Sequence, residues 1–119
     1  MDHSQGTPPA LASSPGNSLG EQIQRQIPAA RVVKAFNFIG THIMVNARRE
    51  EGIPTMFTAG NDIAAKKWVA DLASLWGWSE TIDMGRIEQA YWLEAFAMFW
   101  IIYGFKNNQW QHAFKLLKK

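Results

Sequence analysis

The sequence predicts an α/β fold that forms part of a doubly wound arrangement, with three to four short, mainly parallel strands and three helices. Two observations carry this. Short segments rich in β-branched and aromatic residues alternate along the chain with segments of helical apolar spacing. Strands that alternate with helices pair in parallel, and a parallel sheet needs helices over its faces. The 119 residues fit one domain, and three or four strands are few for a whole doubly wound sheet.

Residues 1–17 combine Pro8, Pro9 and Pro15 with Gly6, Gly16 and several serines. That mixture buries too little apolar surface to order itself as helix or strand, and it is expected to be a flexible arm or loop ahead of a domain spanning 18–119. Ser18 followed by Glu21 makes a capping box. Leu19, Ile23 and Ile27 then recur every four residues until Pro28, which predicts a short one-sided helix. Arg31 to Asn37 is β-branched and aromatic, and reads as a strand that leaves through Gly40. A helical turn is expected around His42 to Ala47, and Gly52 and Pro54 close the irregular stretch that follows. Thr55 to Ala59 is the second strand. Gly60-Asn61-Asp62 makes a turn ending in a helix cap, and Ala65, Trp68, Val69, Leu72 and Trp76 follow with helical spacing up to Gly77. Thr81 and Ile82 form a third short strand. After Gly85 a long helix runs from Ile87 towards Gly104, and Trp110 to Leu117 reads as either a strand or a helical turn.

Several function classes drop out on composition. A formal charge of +2 is too small for phosphate tracking, and Arg48-Arg49 is cancelled by Glu50-Glu51 beside it, so no nucleic-acid partner is expected. With no cysteine, thiolate chemistry and disulfides are excluded. The sequence opens on polar residues and prolines rather than on a basic and apolar run, which makes a cytoplasmic location the expectation. Ala90 to Phe105 packs seven aromatic residues into one stretch, but Glu94 interrupts it. The uncharged run after Glu94 is well short of the roughly 20 residues that span a bilayer. A helix buried in a core or in a dimer interface is the better reading. Being apolar nearly all round, it calls for more cover than the other helices offer.

The chemistry-bearing motifs are sparse. No G-x-G-x-x-G turn exists in the sequence, His3, His42 and His112 are scattered, and no serine sits on a strand-to-helix elbow. No catalytic side chain and no metal ligand is therefore assigned. Asn37 ends a predicted parallel strand, the place where doubly wound sheets bind ligands, although from position alone a turn-capping role is the better reading. Glu94 is a carboxylate in an apolar helix and needs a backbone N–H or a cation as partner. Trp76 lies in phase with its helix stripe and reads as core, and Gly60-Asn61-Asp62 reads as a helix cap rather than a phosphate nest.

Val32-Val33-Lys34-Ala35-Phe36-Asn37, Pro54-Thr55-Met56-Phe57, Gly60-Asn61-Asp62, Ala64-Ala65-Lys66, Leu93-Glu94 and Ala113-Phe114-Lys115-Leu116-Leu117, taken in this order, resemble one family. It is the NADPH-dependent reductases similar to the coenzyme F(420)-dependent NADP oxidoreductase, and the resemblance runs from Ser18 onward. It implies the C-terminal part of a Rossmann-like fold, with the glycine-rich half that holds NADP lying outside this sequence. It also implies that Asn37, Phe38 and Ile39 approach the nicotinamide and acceptor ring, and that Glu94 matches the family's carboxylate in the C-terminal helix. The cofactors implied are NADP and a flavin or deazaflavin. Phe38 stands where a small hydroxyl residue is usual and Ala95 where proline is common, which bears on the choice of acceptor ring.

Hydride transfer asks little of side chains, so the lack of an acid–base pair does not argue against this class. The expectation is a truncated or split oxidoreductase that contributes the nicotinamide and acceptor-ring side of a site and is inactive alone. Its partner is either a complementary N-terminal half or a second copy. The alternative is a non-enzymatic dimerising module built on the aromatic helix.

Overall fold

The computed structural model describes residues 13–118, so the expected arm lies outside the described residues up to residue 12. Its remainder forms a turn, in which Ser14 and Asn17 pair and the Asn17 N–H donates to the Ser14 carbonyl at 2.9 Å. Helix α1, Leu19–Gln26, begins with the predicted capping box. Ser18 Oγ accepts from Glu21 N–H, and Glu21 Oε1 accepts from Ser18 N–H, both at 3.1 Å. The apolar stripe of α1, however, faces outward: Leu19, Ile23 and Ile27 are exposed, while Gly20 and Glu21 are buried. The reason is close approach. A Cβ on Gly20 would lie 3.0 Å from Ala90 Cβ, so only the smallest side of α1 can pack there.

Strand β1 is Val33–Lys34, α2 is the single turn Thr41–Met44, and β2 is Met56–Gly60. Helix α3 spans Ile63–Leu75, β3 spans Thr81–Asp83, and a 3₁₀ turn at Ile87–Gln89 leads into α4, Ala90–Asn107. The three strands lie in the order β1-β2-β3. The α/β class is as predicted, and α2 is the helical turn expected around His42 to Ala47, set slightly earlier in the chain. β2 and β3 are parallel, with Met56 opposite Thr81 and Thr58 opposite Asp83. β1 is antiparallel to β2, with Val33 opposite Gly60 and Lys34 opposite Ala59. A parallel β1 would require the link to carry the chain back along the sheet, ordinarily in a helix packed on its face. Here the link holds only α2, and the chain re-enters the sheet at the end where it left. β1 is also shorter than the predicted Arg31 to Asn37, because Phe36 takes φ +57° and breaks the extended path.

Alternate residues of β2 enter two different cores, as the pleat requires. Ala59, partly with Phe57, packs with Phe38, Ile87, Ala90, Leu93 and Ala97 on the α4 side. Met56 packs with Ala47, Ala73 and Trp78 on the α3 side. β2 is thus the central strand, covered on both faces. Helix α4 buries a stripe of Ala90, Leu93, Glu94, Ala97 and Gly104, and leaves Trp92, Phe99, Ile102 and Tyr103 outside. Its buried side is mostly small residues, which bring the helix close to the sheet. On α3, Ala65, Val69, Leu72 and Trp76 are half-buried as the spacing predicts, whereas Trp68 is two-thirds exposed and does not belong to the packed face. That helix ends at Gly77, φ +98°, where Trp78 N–H returns to the Ala73 carbonyl and Gly77 N–H to Ser74. This is the Schellman pattern that favours glycine.

Residues 109–118 are neither strand nor helix. They run extended beside the start of β2, held by Thr55 N–H donating to the Phe114 carbonyl and Leu116 N–H donating to Thr55 Oγ1, each at 3.0 Å. At the other end of β2, Gly60 sits against β1 so closely that a Cβ there would lie 2.7 Å from the Val32 carbonyl oxygen. Backbone cannot yield as a side chain can. Gly60→Ala is therefore expected to pull β1 from the sheet and cost about 1–3 kcal/mol, read as a lower urea midpoint. An unchanged midpoint would show that the β1 contact adds nothing to stability.

Candidate functional site

The four residues singled out from the sequence fall on two pieces of chain, the bend 36–39 and the first turns of α4. Phe36 carries the bend. A bulky residue at φ +57° is costly and persists only where packing over-determines it. Its ring lies 5.6 Å from Trp76 and 6.2 Å from Trp78, and its N–H points at Met56 Sδ, 3.4 Å away. The bend sends the next side chains in different directions. Phe38 enters the α4-side core, while Ile39 packs against the α3-side core.

Asn37 lies between them, its Nδ2 donating to the Leu93 carbonyl of α4. Its Oδ1 is buried and has no hydrogen-bond partner among the described residues. A buried acceptor left unpaired costs roughly 1–3 kcal/mol. Because β1 is antiparallel, its carboxyl end lies at the amino ends of β2 and β3. The positional argument that placed Asn37 at the carboxyl end of a parallel strand therefore does not hold. The carboxyl ends of β2 and β3 are instead closed by Lys66, whose Nζ donates to Asp83 Oδ1 at 2.9 Å and to the Gly85 carbonyl at 3.2 Å. Gly60-Asn61-Asp62 is the cap it was predicted to be, with Asp62 Oδ2 accepting from Ala65 N–H at 2.7 Å.

Glu94 is buried and saturated. Its Oε1 accepts from Leu19 N–H at 3.0 Å and from Ser13 Oγ at 3.1 Å, and its Oε2 accepts from Gly20 N–H at 3.0 Å. Lys34 Nζ stands 3.6 Å from Oε2. Burial pushes the carboxyl pKa up, but the N–H groups of Gly20 and Leu19, the Lys34 charge and the Ser13 hydroxyl outweigh it and hold the group below its ordinary value. Glu94 thus binds the positive end of α1 to α4 and to β1. Its partners are the backbone N–H groups that a carboxylate in an apolar helix was expected to need.

Beside Phe38 the structure forms an apolar groove of about 340 Å³ lined by Phe38, Phe57, Met84, Trp92, Phe96 and Phe114, with Leu93, Lys115 and Leu116. The Phe38 ring lies 5.0 Å from Phe96, 5.8 Å from Phe57 and 6.2 Å from Phe114. Of the four expected site residues only Phe38 lines this groove. Asn37 and Ile39 border a small internal space of about 10 Å³ with Phe36, Thr55 and Trp78, and Glu94 faces α1. Phe57, Trp92, Phe96 and Phe114 were missed as site residues because they come from three separate elements. The one sequence signal was the surplus of aromatic side chains between Ala90 and Phe105. Among the described residues, no helix is long and apolar enough to cross a membrane.

No protein-family model and no curated protein matches this chain. Among solved structures it is similar to a candidate F(420)-dependent NADP-reductase from Arthrobacter sp. FB24, with a TM-score of 0.91 and 38% identity. The match covers 98% of this chain and 54% of that one, so this chain spans about half of its length. The resemblance read from the sequence thus holds in three dimensions, and the chain carries a Rossmann-like α/β fold matching the C-terminal portion of a reductase of the coenzyme F(420)-dependent NADP type.

Proposed function

We propose that this domain supplies the nicotinamide and acceptor-ring side of a hydride-transfer site in an NADP-dependent oxidoreductase. The observation that carries the reading is the aromatic groove beside Phe38, formed in a chain whose fold matches a reductase. Its size and apolar lining suit a flat ring of the flavin or deazaflavin kind. When bound, NADP and the acceptor ring supply the redox chemistry themselves. The tasks left to the chain are to bind, orient and exclude water.

Phe38, Phe57 and Phe114 form an apolar wall that keeps water from the face of a ring, and Phe96 and Trp92 border it from α4. Asn37 acts indirectly, tying the bend that carries Phe38 to α4 through the Leu93 carbonyl. Glu94 acts at one remove, since it fixes α1 against the helix that carries the groove. Ile39 supports the bend from the opposite core. The phosphates of NADP have no glycine-rich cradle in this sequence. We assign them to residues outside it or to a partner chain, which the exposed apolar side chains of α1 and α4 would receive.

Titration with riboflavin and with a deazaflavin, followed by tryptophan fluorescence, tests the ring site. Saturable quenching in the micromolar range is expected. Met84→Trp, which fills the groove from an exposed position, should weaken it about tenfold or more. Ring binding that ignores Met84→Trp would place the ring elsewhere. The chain alone is not expected to oxidise NADPH, and steady turnover of NADPH with either ring would overturn the division of the site between two pieces.

A further inference from the structure

Helix α4 is covered on two sides. The sheet takes its buried stripe, and the closing segment takes Trp100, whose ring stacks on His112 at 4.5 Å and whose Nε1 donates to the His112 carbonyl at 2.9 Å. The remaining side is open. Along it, positions 88, 92, 95, 99, 102 and 106 follow one another at alternating intervals of four and three. That is the heptad spacing which keeps one seam of side chains facing a second helix. Trp92, Phe99 and Ile102 are exposed and Ala95 is half-buried. Glu88, in the 3₁₀ turn ahead of α4, and Lys106, in its last turn, close the stripe at its two ends. Both are exposed, and neither forms an ion pair among the described residues.

The stripe is complementary to its own reverse. Counted outwards from Ala97, the small Ala95 stands opposite the large Phe99, Trp92 opposite Ile102, and Glu88 opposite Lys106. A two-fold axis beside Ala97 therefore sets each residue against its complement on an antiparallel copy, large against small and acid against base. A parallel pair would instead set Glu88 against Glu88 and Lys106 against Lys106. We propose that α4 is the interface of an antiparallel homodimer, with Phe99 seated over the partner's Ala95 and Glu88 paired with the partner's Lys106. Trp92 also borders the ring groove, so on the ring reading above the pairing fixes one wall of that groove. The pairing itself does not depend on that reading.

Sedimentation velocity on the whole chain, from low to high micromolar concentration, tests the interface. A reversible passage from the 13.5 kDa monomer to a dimer of twice that mass is expected. Phe99→Glu puts a carboxylate into the seam from an exposed position, and should weaken association about a hundredfold while leaving the circular dichroism unchanged. Glu88→Lys and Lys106→Glu should each weaken it about tenfold at low salt, since a like-charge pair then stands at both ends. Combined in one chain they should restore the parent affinity, because acid and base have only exchanged places. An equal mixture of the two single variants should associate more tightly than either alone. A monomer throughout, a dimer indifferent to Phe99→Glu, or open-ended association would overturn the interface. Should Phe99→Glu misfold, the charge variants decide, since both positions are exposed. Charge effects that are absent, or that the double variant fails to reverse, would overturn the antiparallel register.

Discussion

Glu94→Ala is expected to destabilise the domain by about 3–5 kcal/mol, the usual cost of breaking a buried charged network from one side. The alanine would leave the N–H groups of Leu19 and Gly20 without an acceptor and Lys34 without its partner. Both N–H groups belong to the first turn of α1, where no intrahelical acceptor exists to replace the carboxylate. Urea denaturation should show a lower midpoint. Hydrogen exchange should show protection lost first at α1 and not at β2, which α3 and α4 cover from both faces.

The same residue sets a pH dependence. A carboxyl whose folded pKa is depressed contributes stability above its unfolded pKa, and that contribution is lost as pH falls through the folded value. Glu94 is held below its ordinary 4.5, so the loss starts near that value and continues on the acid side of it. The stability difference between the parent chain and Glu94→Gln should therefore be flat at neutral pH and narrow in acid. A difference that stayed constant through the acid range would mean that Glu94 acts through shape and not through its charge.

Phe38→Ala is the second large expected effect, about 3–5 kcal/mol of lost stability. Phe38 is 8% exposed and touches three other rings, which the groove shape prevents from closing on the gap. Phe38→Leu keeps most of the volume and should cost less than about 1.5 kcal/mol. The two variants separate packing from binding. If Phe38 faces the acceptor ring, Phe38→Leu should fold nearly as well as the parent yet quench less with riboflavin or a deazaflavin, since a leucine offers no π-face. Equal quenching would confine Phe38 to the core.

Most of the local structure was legible in the residues. The Ser18–Glu21 box, the Asp62 cap and the Gly77 stop each depend on side chains or backbone freedom within a few positions, and each stands where the sequence put it. The direction of β1 was not legible, since strand pairing is decided by how the 35–55 link returns and not by any residue of Val33–Lys34. Nor was the outward face of α1. Apolar periodicity states which residues share a side, but the close fit at Gly20 against Ala90 decides which side is buried.

The site divides in the same way. The resemblance named Asn37, Phe38, Ile39 and Glu94, yet folding scatters them: Phe38 to the groove, Asn37 to the Leu93 carbonyl, Ile39 to the opposite core and Glu94 to α1. By itself the sequence determined the α/β class, the caps and stops of the helices, and the likeness to a reductase, because these rest on neighbouring residues or on their order. Only the tertiary structure decided which side chains line the aromatic groove. Phe38, Phe57, Phe96 and Phe114 are far apart in the chain, and the bend 36–39, β2, α4 and the closing segment bring them to one wall only when the sheet is covered.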